Sequence, residues 1–77
     1  MQQDASIELK GRVVEVMTGA LYRVLLANGA RVQATLAGEM RLDFIQVLPG
    51  DSIVVEFSPY DLSKGRIIAK INERENE

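Results

Sequence analysis

Apolar and polar residues alternate along most of the chain with a period of two, the spacing that is typical of half-buried β-strands. From Ile7 to Met17, apolar and charged residues alternate first, and valines crowd together after Gly11. Glycine lacks a β-carbon and tolerates the sharp coiling that a strand needs to serve both halves of a small barrel. The pattern therefore predicts a long first strand that bends at Gly11.

A β-hairpin is predicted from residues 21 to 36, where two alternating arms flank Asn28-Gly29. Asn-Gly supplies the positive φ angles of a tight turn. A plain two-residue turn would divide the apolar side chains between both faces, whereas a three-residue loop with a glycine bulge shifts the pairing by one residue and gathers them on one face. We therefore expect a bulged loop at Asn28-Gly29-Ala30 that leaves Arg23 and Arg31 outside. The inward positions would be Val24, Leu26, Val32 and Ala34.

The second half of the chain begins without strict alternation and then returns to it. Glu39 to Phe44 has the length of about one helical turn, and Pro49-Gly50-Asp51 is a turn sequence. Apolar residues alternate again from Ser52 to Phe57 and from Arg66 to Ile71. These segments predict a short helix followed by a fourth and a fifth strand.

The predicted elements describe an all-β fold. Five short strands, of which the first is long and bent, with a short helix between strands 3 and 4, are typical of the partly open Greek-key barrel called the OB-fold. An SH3-like barrel remains an alternative at this point, because it also has five strands and differs mainly in their connection order.

Length and composition agree with one small domain. A chain of 77 residues with 47% hydrophobic and 26% charged residues is typical of a globular protein that folds alone. We expect residues 1–77 to form a single OB-fold domain with a flexible N-terminus at 1–5 and an acidic, solvated tail at 72–77. The N-terminal residues have no basic start followed by an apolar segment, which argues against secretion or a membrane anchor and predicts a cytoplasmic protein.

The side chains that usually carry catalysis are missing. The chain has neither histidine nor cysteine, which removes the usual general base near neutral pH and the best zinc ligands. The carboxylates Glu39, Asp43, Asp51 and Asp61 each lie beside a turn, where aspartate commonly bonds backbone amides. Lys64–Arg66 lacks the spacing of a phosphate-binding loop. The sequence predicts no enzyme activity, no metal site and no cofactor.

The stretch SPYDLSKGR, Ser58 to Arg66, places an aromatic residue and several charges in what the sequence predicts to be a turn. Proteins that bind RNA need cations for phosphates and flat groups on which bases stack. Solvated faces are the commoner explanation of such cations, and Phe44 is expected to cap the barrel. Tyr60 either packs on its own loop or offers a stacking surface. The outward cations are Arg23, Arg31, Arg41, Lys64, Arg66 and Lys70.

Four stretches of the chain, GRVVEV, LYRVLLANG, GEMRLDFIQVLPGD and SPYDLSKGRII, together resemble the family of bacterial translation initiation factor one. The resemblance spans Ile7 to Lys70. Its last motif is specific, because proline, tyrosine, aspartate, lysine, glycine and arginine recur there in the same order and spacing. The resemblance implies a non-catalytic OB-fold factor that binds the small ribosomal subunit at the decoding A site and works with the second and third initiation factors.

The same resemblance implies roles for particular residues. Arg41 would reach the decoding-site rRNA, of the 16S type, while the C-terminal cations would contact rRNA phosphates and an adjacent ribosomal protein. Pro59 and Gly65 would fix the ends of the loop, and Asp61 would bond its backbone. The protein would be a monomer and would not bind a membrane. The implied rRNA-binding set is Arg23, Arg41, Tyr60, Lys64, Gly65, Arg66 and Lys70.

The chain departs from the family pattern mainly in the insertion between strands 3 and 4. The family usually has lysine at Glu39, a basic or neutral residue at Leu42, a non-acidic one at Asp43 and arginine at Gln46. Thr18-Gly19 replaces a Pro-Asn turn. The insertion has therefore lost its positive charge, so we expect RNA binding to depend more on the C-terminal cations. A diverged second copy or an organelle factor would also fit these departures.

Two other functions remain compatible with the sequence. A general single-stranded RNA-binding OB-fold protein, or RNA chaperone, would use the same barrel, but such proteins expose several aromatic residues on their strands and this chain has four in total. A protein-interaction module is suggested by the net charge of −2, which argues against binding through a general positive field.

Overall fold

Five β-strands and one short helix make up the part of the chain that the structure, a computed structural model, describes: residues 6–17, 21–42 and 46–71. The predicted terminal segments 1–5 and 72–77 lie outside these residues. The elements in chain order are β1 (Ile7–Met17), β2 (Leu21–Leu26), β3 (Arg31–Leu36), α1 (Gly38–Leu42), β4 (Ser52–Ser58) and β5 (Asp61–Ile71).

The strands form a closed barrel in the order β1-β2-β3-β5-β4. All neighbouring pairs are antiparallel except β3 and β5, which are parallel. The first three strands form a meander, and β5 lies between β3 and β4, which is the Greek-key order of the OB-fold rather than that of an SH3-like barrel. The predicted fold class is confirmed, and pairing of β1 with β4 closes the barrel that the sequence predicted to be partly open.

The first strand pairs on both of its edges, as predicted. Its first half pairs with β4 and its second half with β2, and both ladders include Gly11. A β-carbon at Gly11 would lie 2.8 Å from Cγ1 of Val24, so only glycine allows this approach. The register then shifts between Val13 and Glu15, a bulge that the sequence did not predict. The strand therefore changes partners at Gly11 and bends further beyond it.

The β2–β3 hairpin has a bulged three-residue loop and the predicted inward and outward faces, but its register lies two residues from the one that a loop at Asn28-Gly29-Ala30 would give. Val24 pairs with Val32, and Arg23 pairs with Gln33, so the arginine faces solvent. The Leu26 N–H donates to the Ala30 carbonyl at 2.8 Å, which leaves Ala27, Asn28 and Gly29 as the three loop residues. The loop thus begins one residue earlier than predicted. Gly29 has a φ of 92°, as the last position of such a loop requires.

The insertion contains the predicted short helix. The sequence predicted Glu39–Phe44, whereas α1 spans Gly38–Leu42. The Met40 side chain of α1 is buried in the barrel core, and α1 packs against β5. Asp43 and Phe44 lie outside the described residues, so the prediction that Phe44 caps the barrel stays a prediction.

The stretch SPYDLSKGR is mostly strand, which corrects the prediction of a shaped loop ending at Gly65. A tight turn at Pro59-Tyr60 joins β4 to β5, and Ser58 pairs with Asp61 directly across it. Proline and tyrosine complete the reversal within two residues, so β5 already begins at Asp61 rather than at Arg66. Gly65 therefore pairs with Ala34 of β3 in the middle of the strand.

Gly65 is required by the core beneath it. A β-carbon at this position would lie 2.3 Å from Cγ1 of Val55 and 2.9 Å from Cε2 of Phe57. Both neighbours are almost completely buried, so neither can move away without disturbing the packed interior. The most deeply buried core side chains are Val13, Val24, Ile53, Val55, Phe57 and Ile67.

We expect Gly65→Ala to destabilise the protein by about 1–3 kcal/mol, because the added methyl overpacks a filled core. Gly38→Ala is the matched control: no atom lies within 4 Å of its added β-carbon, and alanine is the better helix former. The measurement is the free energy of unfolding in urea. Equal stability of the two variants would contradict the proposed close approach of β5 to the core.

Candidate nucleic-acid interface

Outward side chains of β2, β3 and β5 form one continuous surface. The strand register aligns Arg23 with Gln33 and Gln33 with Lys64, and it aligns Thr35 with Arg66. Paired residues on neighbouring strands point to the same side of a sheet. The surface therefore brings Arg23, Lys64 and Arg66 together, with polar Gln33 and Thr35 between them.

Sequence reasoning missed Gln33 and Thr35 as parts of this surface. Neither residue carries charge or an aromatic ring, so nothing in the local sequence distinguishes them from other solvated strand positions. Their alignment with Lys64 and Arg66 follows from the parallel pairing of β3 and β5. That pairing could have been inferred once the OB-fold connection order was assumed.

A groove with a volume of 510 Å³ runs along the β4–β5 edge of this surface. Its lining residues include Thr35, Glu56, Tyr60, Lys64 and Arg66. Tyr60 stands at the tip of the β4–β5 turn with 92% of its surface exposed. Of the two alternatives for this ring, packing on its own loop is excluded, and one flat aromatic face is available beside two cations.

The β4–β5 turn is held by short side-chain hydrogen bonds. The Tyr60 N–H donates to Oγ of Ser58 at 3.1 Å. Oδ1 of Asp61 accepts the Ser63 N–H at 3.1 Å and the Ser63 hydroxyl at 2.6 Å. The predicted bonding of the backbone by Asp61 is confirmed. The Ser63 hydroxyl, then its amide and the charge of Lys64, lower the pKa of Asp61 from its ordinary value.

Three of the cations in the predicted set form ion pairs. Arg23 lies 3.3 Å from Glu15, Arg66 lies 3.0 Å from Glu56, and Lys70 lies 3.4 Å from Asp51. Among the side chains that the structure describes, no carboxylate oxygen lies within 4.0 Å of the side-chain nitrogens of Lys64 or Arg31. The predicted cations thus differ in how readily they can meet an external phosphate.

Lys70 lies apart from the groove. Its ammonium donates to the Gln46 carbonyl at 3.0 Å and also contacts Oδ2 of Asp51, the oxygen that accepts the Leu48 N–H at 2.8 Å. These contacts hold the segment before β4 against β5. Lys70 can reach RNA only by giving up two internal partners.

Arg41 is carried by a different element from the groove. It lies on α1 with an exposed side chain, and its N–H donates to the Ala37 carbonyl at 3.1 Å. Of the predicted rRNA-binding residues, the structure gathers Tyr60, Lys64, Gly65 and Arg66 in the groove and Arg23 beside it, while Arg41 and Lys70 stand elsewhere.

The family model described as Translation initiation factor 1A / IF-1 matches residues 2–77 of the chain. The chain belongs to this family. The resemblance found in the sequence is therefore confirmed, and the protein is a translation initiation factor of the OB-fold type.

Solved structures agree with the family assignment. The solution structure of translation initiation factor one from the Wolbachia endosymbiont of Brugia malayi is 31% identical, with a TM-score of 0.75, covering 94% of this chain and 85% of that one. YjeQ from Thermotoga maritima shares the fold alone: it is 22% identical with a TM-score of 0.71, and the match covers 88% of this chain but 24% of YjeQ.

Two further observations concern metal binding and membrane spans. Among the described residues, no group of three or more acidic side chains is placed to hold a metal ion. In the same part of the chain, no helix has both the length and the apolar content to cross a bilayer.

We expect the unfolding free energy to fall with acid more steeply in the parent than in Asp61→Asn. A carboxyl whose folded pKa is lowered adds stability above its unfolded pKa, and that stability is lost as pH falls through the folded pKa. Ser63→Ala should also flatten the dependence, because it removes the principal cause of the shift. The measurement is the urea midpoint between about pH 6 and about pH 2. Parallel curves for all three proteins would contradict this assignment.

Proposed function

We propose that this family member binds the small ribosomal subunit at the decoding A site, through its 16S-type rRNA and an adjacent ribosomal protein. It acts there in the cytoplasm with the second and third initiation factors. Family membership supports this proposal. The observation that carries it is the groove that places exposed Tyr60 beside Lys64 and Arg66 on the outer face of β5.

Each part of the surface has a distinct task in this proposal. The rRNA phosphates are bound by Lys64, Arg66 and Arg23, because ammonium and guanidinium groups donate hydrogen bonds to phosphate oxygens and so position the RNA backbone. Tyr60 offers its ring to a base or ribose. The backbone at Gly65 keeps β5 flat against the core, so that the cations on either side of it project in the same direction.

Arg41 extends the proposed interface from α1 toward the decoding site. The insertion carries Glu39 and Asp43 in sequence beside this single arginine, so its phosphate attraction is weaker than that of the groove. Lys70 contributes least to the proposed RNA contact, because its ammonium already contacts Asp51 and Gln46.

The scarcity of exposed rings argues against a general single-stranded RNA binder or RNA chaperone. Proteins of that kind stack successive bases on several exposed aromatic side chains. Tyr22 and Phe57 are buried in the barrel here, and Tyr60 is the one exposed aromatic residue in the described part of the chain. A surface with one ring and several cations is better suited to a folded RNA, whose phosphates hold fixed positions, than to a flexible single strand.

We expect Lys64→Ala and Arg66→Ala each to weaken binding to small ribosomal subunits and to lower the log–log salt slope by about 0.7 or a little more, because each removes one phosphate contact. Arg41→Ala should weaken binding less. The measurement is a salt titration of subunit binding, combined with chemical footprinting of the decoding-site nucleotides.

Lys10→Ala is the matched control for this titration. Lys10 pairs with Val54 in the β1–β4 ladder, away from the β2–β3–β5 surface, and its removal changes the net charge equally. If Lys64→Ala and Arg66→Ala bind like Lys10→Ala at every salt concentration, the groove is not the RNA contact. A protein-interaction function would then replace the one proposed.

We expect Tyr60→Ala to weaken subunit binding by roughly 1–3 kcal/mol while leaving the salt slope unchanged, because stacking involves no counterion release. Tyr60→Phe keeps the ring and should retain most of the affinity. The same salt titration separates the two contributions. A fall in slope for Tyr60→Ala, or an equal loss in Tyr60→Phe, would show that the ring does not act by stacking.

A further inference from the structure

A row of charged side chains crosses the barrel beside the groove. The register places Glu8 of β1 opposite Glu56 of β4, and Glu56 opposite Arg66 of β5. Like charges directly opposite each other on neighbouring strands are destabilising. Glu56 therefore has a carboxylate on one side and the Arg66 guanidinium on the other, so the β4 side of the groove is anionic while its β5 side is cationic.

Glu56 is the better fixed of these two carboxylates. Its Oε1 accepts a hydrogen bond from Nη2 of Arg66 at 3.0 Å, and its side chain is 24% exposed, against 59% for Arg66. Hydrogen bonding from the Ser6 side chain, and then from Arg66, lowers the pKa of Glu56 from its ordinary value. The carboxylate is thus ionised at neutral pH and held against the cation that faces the groove.

We propose that Glu56 competes with RNA phosphate for Arg66 and so limits how tightly the groove holds RNA. This inference rests on the proposed function above. A phosphate that reaches the exposed part of the guanidinium meets a carboxylate 3.0 Å from the same group, and the two anions repel each other. Lys64, in the same groove, has no carboxylate within 4.0 Å among the described residues.

The competition makes Glu56 an affinity-setting residue rather than a contact residue. The Arg66–Glu56 pair is partly exposed and therefore weak, so a phosphate can displace the carboxylate from the guanidinium. Binding at Arg66 is then readily reversed, whereas Lys64 loses only water on meeting RNA. The internal pair with Glu56 forms again when the RNA departs.

Glu56→Gln tests the proposal because it removes the charge and keeps the size of the side chain. We expect affinity for RNA to rise by roughly 1.5- to fivefold at low salt, the range set by an exposed ion pair. The salt slope should steepen by only a fraction of the roughly 0.7 that one phosphate contact contributes, as the contact at Arg66 forms more completely. Two probes are used: small ribosomal subunits and a single-stranded oligouridylate of about twelve nucleotides.

Glu8→Gln is the matched control. It changes the net charge equally and stands directly opposite Glu56, while the carboxylate that contacts Arg66 remains in place. Glu8→Gln measures the effect of the change in net charge alone, and we expect it to raise RNA affinity less than Glu56→Gln does. In an Arg66→Gln background, Glu56→Gln should add no more than Glu8→Gln does.

Glu56→Asp provides a second variant in case the amide perturbs folding. It keeps the charge but shortens the side chain by one methylene, and it should give a smaller gain than Glu56→Gln. Thermal unfolding by circular dichroism establishes that each variant is folded before binding is compared.

Two results would overturn the proposal: equal gains from Glu56→Gln and Glu8→Gln, or a Glu56→Gln gain that persists unchanged without Arg66. In either case subunit binding by the parent would leave the proposed function intact. If instead the parent fails to bind subunits at any salt concentration, the proposed function fails. The oligouridylate measurements would still decide whether Glu56 competes with phosphate.

Discussion

The approach of β5 to the core at Gly65 is the constraint on which the rest of the structure depends. At this position β5 pairs with β3 on one side while its backbone lies against Val55 and Phe57 of β4, and no side chain fits between them. The position of β5 between β3 and β4 therefore requires a residue without a side chain at position 65. Closure also places Lys64 and Arg66, the two neighbours of Gly65, side by side on the outer surface. Packing inside the barrel and the charge pattern outside it are thus set by the same residue.

The surface explains how a chain with a net charge of −2 can carry a site for RNA. Binding of a polyanion depends on the local field near its phosphates, because charges farther away than a Debye length of about 8–10 Å are screened at physiological salt. Arg23, Lys64 and Arg66 project from adjacent strands of one face. Internal carboxylates then moderate two of these cations, Arg23 through Glu15 and Arg66 through Glu56. In the function proposed above, the acidic residues of this surface limit the affinity that its cations provide.

Strand periodicity made most of the barrel predictable, and the misses have physical causes. The inward and outward faces of the hairpin followed from the need to gather Val24 and Val32 on one side, although the loop begins one residue earlier than predicted. The extent of β5 was missed because Pro59 and Gly65 look like loop residues, whereas the steric need for glycine at a crowded strand position appears only when the neighbouring strand is in place. The sequence singled out the individual cations as candidate RNA contacts. It did not predict their ion pairs, because Glu56 and Arg66 meet through cross-strand register.

The parallel pairing of β3 with β5 has a consequence for how the protein acquires its surface. Gln33 and Lys64 stand roughly thirty positions apart in the chain, so the contact that aligns them belongs to the slow, non-local class of folding events. The β1–β2–β3 meander can form from neighbouring segments. Of the cations on the outer surface that leads to the groove, the meander carries Arg23 and Arg31. During synthesis the ribosome must therefore release the chain as far as β5 before the groove exists. A nascent or truncated copy that ends before β5 carries the first half of the surface without the residues that complete it.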